Sequence, residues 1–336
     1  MQDLTIRANR DWPNRTSQGQ ELALRQRGKM AIYKNVTLQG VQDTYYLNKA
    51  DASAYFEDCT VAGEVDFIYG DGTMFFQHCT LQPLSSRAYI TAPNTQAGYK
   101  GIVFNQCTIE PEAGAKGNVQ GYRLGRPWGD SPASTFISTT MKVLPADAGW
   151  GSMTSNLVVR FHEYGSMDSE GNLLDLSKRS IADCKPASGS DSPVLTAEEA
   201  AEYTIENVFK RVAKDWTPDL LAAQLDAPTP RINDDHTLLT WREVPGAYCY
   251  AICRDGKVIG FTNQTSYRLT IAEGQYTLRV ANQRGGLGKP SDVASALGNI
   301  TTDPDHEPTI YDLYGRKVQH PTSGIYVVDG KKQFIK

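Results

Sequence analysis

The chain has 336 residues, of which 40% are hydrophobic and 21% are charged, and its net charge at pH 7 is −4. This composition supports a sizeable core and excludes wholesale disorder. The weakly acidic balance argues against a nucleic-acid partner and against electrostatic binding to an anionic membrane. No apolar run approaches the ~20 residues of a membrane span. Six cysteines without a CxxC pair and five scattered histidines give no support for a structural zinc site.

The first half of the chain repeats one pattern, in which an apolar pair precedes two polar residues, then Val or Cys, then Thr and an aliphatic residue. The repeats are AIYKNVTLQ (31–39), AYFEDCTVA (54–62), MFFQHCTLQ (74–82) and IVFNQCTIE (102–110). Self-similarity at this period, in segments rich in β-branched and aromatic residues, is typical of a solenoid of short strands. Leucine-rich repeats have a similar period, but their Leu/Asn framework is missing. We therefore predict an all-β fold built on a parallel β-helix.

Aligned on the Val or Cys, the repeats place one residue of each at the same position of successive coils: Val36, Cys59, Cys79 and Cys107. A disulfide between neighbouring coils is conceivable. A stack of small buried thiols is the favoured interpretation.

The pattern becomes helical at residue 196. Thr196 and Glu199 form a capping box, and apolar residues follow at helical spacing up to Val212. We predict one helix there, which packs on the solenoid and ends before Pro218. The first domain is then residues 1–226.

Two further domains are predicted beyond the linker DAPTPR (226–231). Alternating strands around an Asp255-Gly256 turn predict a small β-sandwich at 227–300. A second linker, TTDPDHEP, opens a tail of short strands at 301–336.

Two aspartates follow the repeat register. Asp43 lies seven residues after Val36, Asp66 lies seven residues after Cys59, and each ends a Gly-x-x-Asp segment. They are expected side by side on adjacent coils, because neighbouring strands are ~4.8 Å apart. Two such carboxylates do not easily ionise together, so the pair offers both an acid and a nucleophile or base. A turn-capping aspartate pair or a calcium site would give the same spacing.

Four blocks of sequence resemble the pectin methylesterase (pectinesterase) family. VQDTYYL (41–47), GEVDFIYG (63–70) and YRLGRPWG (122–129) resemble its signature blocks in order, and GQELAL (19–24) resembles a weaker one. The similarity extends over roughly residues 1–216. It implies a right-handed parallel β-helix and a carboxylic ester hydrolase that removes methyl esters from polygalacturonate (pectin) in plant cell-wall degradation. It implies no metal and no other cofactor.

The resemblance also implies roles for individual residues. Asp66 is the expected nucleophile, which forms an acyl-enzyme and releases methanol. Asp43 is expected to protonate the methoxide and then to activate water. Gln20 and Gln42 are expected to donate amide hydrogens to the oxyanion. Arg126 is expected to hydrogen-bond Asp66, keeping it ionised and oriented.

Aromatic residues of the same blocks are candidates for the substrate groove. Trp128 is expected to present a ring face to a sugar, although a core or loop-anchoring role would also suit it. Tyr45 and Tyr69 are expected to form groove walls, and Tyr69 stands where the family usually has phenylalanine. Arg87 and Arg123 are candidates for a locally positive groove.

The rest of the chain bears on location. The module at 227–300 resembles a fibronectin type III module. LYGRKV (313–318) followed by GIYVV (324–328) resembles the C-terminal sorting tail of proteins exported by Bacteroidetes-type bacteria. The sorting-type tail favours a secreted or cell-surface protein, and we expect a monomer. The chain begins almost at TIRAN (5–9), which in the family follows several more strands. We therefore expect an N-terminal truncation, which would also account for the absence of a signal peptide.

Two alternatives to the esterase remain open. A polysaccharide lyase on the same fold would need a calcium-binding acidic cluster and an Arg or Lys base. A non-catalytic carbohydrate-binding β-helix would bind sugar without releasing methanol. The combination of two glutamines, two aspartates and an arginine favours the esterase.

Overall fold

The computed structural model describes residues 1–8, 19–115, 117–296, 310–312, 317–318, 323–328 and 331–335. They form two compact units, one within residues 1–224 and 282–287 and the other within 225–281 and 288–336. No helix in these described ranges is long and apolar enough to cross a membrane.

The strands of the first unit are short and regularly spaced. In chain order they are β1 Gln2–Arg7, β2 Leu24–Gln26, β3 Met30–Gln39, β4 Tyr45–Leu47, β5 Ser53–Glu57, β6 Thr60–Gly63, β7 Ile68–Gly70, β8 Thr73–Gln77, β9 Thr80–Pro83, β10 Tyr89–Pro93, β11 Ile102–Asn105, β12 Thr108–Ile109, β13 Arg123–Gly125, β14 Ala133–Ile137, β15 Thr140–Met141 and β16 Arg160–Tyr164.

These strands pair in parallel with strands of the next coil. The larger sheet has the order β15-β12-β9-β6-β3-β5-β8-β11-β14-β16, with β1 also paired to β3. The smaller sheet has the order β13-β10-β7-β4-β2. Each full coil adds one strand to the smaller sheet and two to the larger sheet, as β7 does for the first and β8 and β9 do for the second. The predicted parallel β-helix is confirmed.

The alignment of the sequence repeats matches the residue pairing between coils in the larger sheet. The threonine that follows each register position pairs with its equivalent on the next coil, as in Thr37 with Thr60 and Thr60 with Thr80. The residue before each register position has a left-handed backbone that turns the chain; these residues are Asn35, Asp58, His78 and Gln106. A further coil, Ala133–Met141, follows the same path. Its sequence departs from the repeat pattern, because Thr139 replaces the Val or Cys.

The cysteines at the register positions are buried free thiols. The backbone N–H of Val36 donates to Cys59 Sγ at 3.3 Å, and that of Cys59 donates to Cys79 Sγ at 3.4 Å. Cys59 and Cys79 therefore each accept a hydrogen bond from the coil before, which agrees with the thiol-stack interpretation.

An aromatic ladder runs through the core beside them. Tyr33, Phe56, Phe76, Phe104 and Phe136 stack ring on ring, with successive centroids 4.3–4.8 Å apart. All five are buried. Each ring occupies the same strand position of its coil, so a shift in register would break every stack at once.

The C-terminal part of the first unit is helical. Its elements are a 3-10 turn at Ala182–Cys184 and three short helices, α1 Ala197–Ala201, α2 Ile205–Phe209 and α3 Pro218–Ala222. Apolar residues of α2 and α3 pack on the outer face of the larger sheet; the buried contacts include Val208, Phe209, Ala222, Tyr55, Phe75 and Val103.

The prediction of a single helix from residue 196 is wrong. The capping box of Thr196 and Glu199 is present, but the helix that it starts lasts only five residues. Thr204 then accepts a hydrogen bond from the Asn207 backbone N–H and caps a second helix. Pro218, expected to follow the helix, occupies the first turn of the third. Local side-chain caps divided a segment whose apolar spacing is continuous.

Strands also form the second unit. They are β17 Arg231–Ile232, β18 Leu238–Thr240, β19 Ala247–Arg254, β20 Lys257–Thr262, β21 Ser266–Arg268, β22 Tyr276–Asn282, β23 Ser295–Ala296, β24 Ile310–Tyr311, β25 Gly324–Val328 and β26 Lys331–Ile335. Their sheets have the orders β21-β18-β17-β23, β20-β19-β22 and β24-β25-β26.

The first two of these sheets share one hydrophobic core, which includes Leu239, Ile252 and Leu278. The predicted Asp255-Gly256 turn connects β19 to β20. The linker at 301–308 and residues 313–316 of the LYGRKV motif lie outside the described residues. The division at residue 300 stays a prediction.

Phe104→Ala should lower the free energy of unfolding by about 3–5 kcal/mol, because it opens a cavity and removes two ring stacks. Chemical denaturation followed by circular dichroism measures this loss. Leu173→Ala, at a side chain that is 74% exposed, is the control and should change stability by no more than about 0.5 kcal/mol. A Phe104→Ala loss as small as that of the control would contradict the ladder's role.

Candidate active site

Two aspartates precede paired strands of the smaller sheet. Asp43 comes two residues before β4, and Asp66 comes two residues before β7. The flanking pairs are Gln42 with Val65 and Tyr45 with Ile68. Asp43 therefore lies opposite Asp66 on the adjacent coil, at the position that the repeat spacing predicts.

The backbone at both aspartates is left-handed, with φ of 66° at Asp43 and 51° at Asp66. Aspartate tolerates this conformation better than most residues. The glycine three residues earlier permits the tight turn. A Cβ on Gly63 would lie 2.1 Å from Phe67 Cβ, and one on Gly40 would lie 2.6 Å from Thr44 Oγ1. The Gly-x-x-Asp segments are thus tightly packed turns, and they fix the direction of both aspartate side chains.

A guanidinium holds one carboxylate of the pair. Arg126 donates from Nε to Asp66 Oδ1 at 2.7 Å and from Nη2 to Oδ2 at 2.6 Å. Asp66 is only 5% exposed. The guanidinium carbon also lies 4.5 Å from the centroid of the Tyr89 ring. This two-point contact fixes the plane of the Asp66 carboxylate and stabilises its negative charge.

Among the described residues, no cation holds the other carboxyl in this way. Asp43 is 4% exposed, and burial together with the nearby charge of Asp66 raises its pKa to about 6. Interactions with the Tyr69 hydroxyl, the Arg126 charge and the Gln42 amide oppose that rise. Asp43, with its pKa raised to about 6, therefore lies beside the Asp66 carboxylate, which is bound to Arg126.

The two candidate glutamines lie on neighbouring coils. Gln42 precedes Asp43 directly and is half-buried, and its side chain interacts with that of Asp43. Gln20 is exposed and pairs through its backbone with Gln42.

Three half-buried aromatic rings form a patch beside the carboxyls. Tyr46 and Tyr69 stack with their centroids 4.3 Å apart and their planes at 6°. Trp128 lies 5.8 Å from Tyr69 and 6.4 Å from Tyr46. We call these three residues the aromatic patch. Arg25 lies over the Tyr46 ring at 5.6 Å.

Tyr45 does not belong to this patch, so its assignment to a groove wall is wrong. It is fully buried, and its hydroxyl donates to Gln26 Oε1 at 2.7 Å. Alternate side chains of a strand point to opposite faces, so Tyr46 is the tyrosine of β4 that points outward. The equal spacing in the sequence identifies Tyr46 as the partner of Tyr69, because Tyr46 follows Asp43 by three residues, as Tyr69 follows Asp66.

The two candidate groove arginines differ in exposure. The Arg87 side chain is 84% exposed and reaches Glu64 at 3.3 Å. Arg123 is half-buried and donates to the Gly121 carbonyl at 2.8 Å. Across the described ranges, no three His, Cys, Asp or Glu side chains converge as metal ligands.

A cavity of about 600 Å³ is lined in part by residues that closely follow the aromatic patch in the chain. Asp71, two residues after Tyr69, and Asp130, two residues after Trp128, are among its lining residues. Asp43 and Asp66 do not line it.

Comparison with known proteins gives a family for the first unit. Residues 1–211 match the family model described as Pectinesterase. Pectinesterase 1 of Arabidopsis thaliana is 30% identical over 214 residues, which are 59% of this chain and 33% of that protein. Pectinesterase 31 of the same plant is 34% identical over 164 residues, which are 45% of this chain and 49% of that protein. The chain thus spans less than half the length of either relative.

Solved structures show the same likeness. The pectin methylesterase from carrot is 20% identical with a TM-score of 0.50, and the match covers 64% of this chain and 68% of that one; it supports the fold alone. Pectin methylesterase PemA from Erwinia chrysanthemi is 29% identical with a TM-score of 0.49, over 65% of this chain and 70% of that one. Since the family match covers 211 of the 336 residues, the chain belongs to the pectinesterase family.

Proposed function

We propose that this protein hydrolyses the methyl esters of polygalacturonate, giving free carboxylates and methanol. Asp66 is the nucleophile, and Asp43 is the acid and then the base. One observation carries the proposal: two buried carboxyls lie opposite each other, and a guanidinium holds only one of them. Burial and the neighbouring charge raise the pKa of the other, Asp43, to about 6. Family membership supports the same substrate class.

In the first half of the reaction, the Asp66 carboxylate attacks the ester carbonyl carbon. The carbonyl oxygen becomes negative and accepts hydrogen bonds from the amides of Gln20 and Gln42. One such donor typically lowers the barrier by ~3 kcal/mol. Arg126 keeps the attacking carboxylate in one plane, which reduces the entropy lost on reaching the transition state.

The tetrahedral intermediate then collapses. The bond to the methoxy group breaks, Asp43 transfers its proton to that oxygen, and methanol leaves. An anhydride now joins Asp66 to the uronate. In the second half, Asp43 takes a proton from water, and the oxygen of that water attacks the uronate carbonyl. The Asp66 carboxylate leaves, the free acid is formed, and Asp43 is protonated again.

The aromatic patch is the proposed sugar platform. Trp128 offers a ring face to a pyranose, and Tyr46 and Tyr69 extend the surface. A methyl-esterified residue is neutral, so it does not meet repulsion from the carboxyl pair. Exposed Arg87 would favour free uronates elsewhere on the polymer.

The alternatives explain less of this arrangement. A carbohydrate-binding protein would account for the aromatic patch but not for two buried, opposed carboxyls that decrease stability. A lyase would leave the protonated Asp43 without a role.

We also propose a secreted or cell-surface location, because pectin is a polymer too large to act on inside a cell. The fibronectin type III-like module at 227–300 and the sorting tail at 301–336 are part of this proposal.

Asp66→Asn should reduce methanol release from highly methyl-esterified pectin at least ~10³-fold, because it removes the nucleophile. Asp51→Asn, at an exposed carboxylate whose nearest lysine is 3.5 Å away, is the matched control and should keep wild-type turnover. Near-normal turnover of Asp66→Asn would discard the nucleophile assignment.

The value of kcat/KM should fall about tenfold per pH unit above pH ~6. In the free enzyme, Asp43 must carry the proton that it later transfers to methanol. Initial rates of methanol release between pH 4 and pH 8 test this. A rate that stays constant up to pH 8 would exclude Asp43 as the acid.

Asp43→Asn should make the protein more stable at pH 8. The folded-state pKa is raised from 3.8 to about 6, so the folded protein holds a proton that the unfolded chain has already lost. Stability therefore falls as pH rises through this window, by about 3 kcal/mol in total.

Denaturant unfolding at pH 4 and pH 8 measures the difference. The advantage of Asp43→Asn over the wild type should be small at pH 4 and grow toward pH 8. Asp66→Asn is the contrasting variant, since it leaves Arg126 without its carboxylate and should stabilise at neither pH. A loss of stability in Asp43→Asn at pH 8 would refute the electrostatic argument.

A further inference from the structure

A separate cavity, of about 550 Å³, lies in the second unit. Its lining residues are Pro228, Thr229, Arg231, Thr240, Trp241 and Arg242. All of them belong to residues 225–281 of that unit, and none of them is assigned to the esterase site. A volume of this size is within the range of sites that hold small ligands.

Two paired residues place polar side chains on this cavity. Arg231 on β17 and Thr240 on β18 are cross-strand partners, so their side chains lie on the same face of the sheet. The neighbouring pair, Ile232 and Leu239, belongs to the hydrophobic core on the other face. Arg231 is exposed and Thr240 is half-buried. The cavity therefore opens on the outer, solvent-facing side of this sheet.

The remaining lining residues differ in how firmly they are held. Trp241 is only 9% exposed, and its ring centroid lies 5.2 Å from that of Tyr250 in the core. Pro228 and Thr229 come from the segment predicted as a linker. Thr229 Oγ1 donates to Asp292 Oδ2 at 3.4 Å. The cavity thus combines a fixed aromatic ring with a hydroxyl group on the connecting segment.

Two guanidinium groups give the cavity a positive charge. The side chains of Arg231 and Arg242 are exposed, and across the ranges that the structure describes neither makes an ion pair or a side-chain hydrogen bond. Asp292 contacts the lining residue Thr229 but pairs with neither arginine. A guanidinium binds a carboxylate through two parallel hydrogen bonds. Two such groups on one cavity therefore suit a ligand that carries carboxylates.

We propose that this cavity binds free galacturonate residues of the polymer: Arg231 and Arg242 hold the carboxylates, and Thr229 and Thr240 contact the sugar hydroxyls. The choice of a uronate rests on the proposed function, because each ester that is hydrolysed leaves one carboxylate on the polymer. A methyl-esterified residue is neutral and gains little from the two guanidiniums. The second unit thus recognises the product and holds the enzyme on polymer that it has already de-esterified.

Nitrogen-15 NMR of the full chain, titrated with trigalacturonate, tests the proposal. The backbone amide signals of Thr240 and Trp241 should shift to saturation, and maltotriose, a neutral trisaccharide, should leave them in place. Arg231→Gln and Arg242→Gln should each raise the titration midpoint roughly tenfold, the value for losing a hydrogen bond to a charged group. Arg268→Gln is the matched control, because it removes an exposed arginine of the same sheet that does not line the cavity. It should change the midpoint by less than about twofold.

The outcomes separate this inference from the proposed function. An equal loss of affinity in Arg268→Gln would mean general attraction between charges and would overturn the site. Shifts confined to the amides around Asp66 would also overturn it, while the proposed function would stand. Saturable shifts at Thr240 and Trp241 in a protein that releases no methanol would refute the proposed function and leave the uronate site established.

Turnover gives a second readout of the same variants. Arg231 and Arg242 take no part in the proposed chemistry, so kcat should keep its wild-type value in both variants. The KM for partly de-esterified pectin should rise about threefold or more, whereas the KM for fully methyl-esterified pectin should not change. An unchanged KM for partly de-esterified pectin would contradict retention of the enzyme on its product.

Discussion

The register between neighbouring coils is the constraint on which the rest of the structure depends. Parallel pairing of β4 with β7 sets Tyr45 against Ile68 and, through the adjoining bridge, Gln42 against Val65. This pairing fixes Asp43 and Asp66 as neighbours on adjacent coils. A slip of one residue would turn each side chain to the opposite face. The aromatic ladder on the other sheet opposes such a slip, because every stacked ring would lose its partner.

The same winding that joins the carboxyls also buries them, and this decreases stability. Two buried like charges are unfavourable, and the structure relieves the repulsion unequally. Arg126 binds Asp66 at two points, and no described cation binds Asp43 in that way. The surroundings of the two aspartates therefore differ: Arg126 holds the Asp66 carboxylate, whereas burial and the Asp66 charge raise the pKa of Asp43. The left-handed backbone at both positions adds local strain of the kind that persists where a site is held by its neighbours.

The sequence predicted the coils and the opposed aspartates because both follow from one periodicity. The apolar pair, the Thr and the Gly-x-x-Asp segment recur at fixed offsets, and parallel stacking translates those offsets into contacts. The resemblance in the blocks around Arg126 and Trp128 suggested partners that periodicity cannot supply, since Arg126 reaches Asp66 across 60 residues of chain. The roles assigned to these residues remain a proposal.

The errors have physical causes. Resemblance in the block predicts a groove position for Tyr45, whereas strand alternation buries Tyr45 and turns Tyr46 outward. The helix from residue 196 was predicted as continuous because apolar spacing outweighed Thr204, whose side chain starts a new helix.

The most direct test of the central claim is the Asp43 titration midpoint, followed by carbon-13 NMR in the wild type and in Asp66→Asn. If the register brings the two carboxyls together, removal of the Asp66 charge must lower the midpoint of Asp43 from about 6 toward its ordinary value. An unchanged midpoint would mean that the two carboxyls do not interact, and the proposed division into acid and nucleophile would lose its basis.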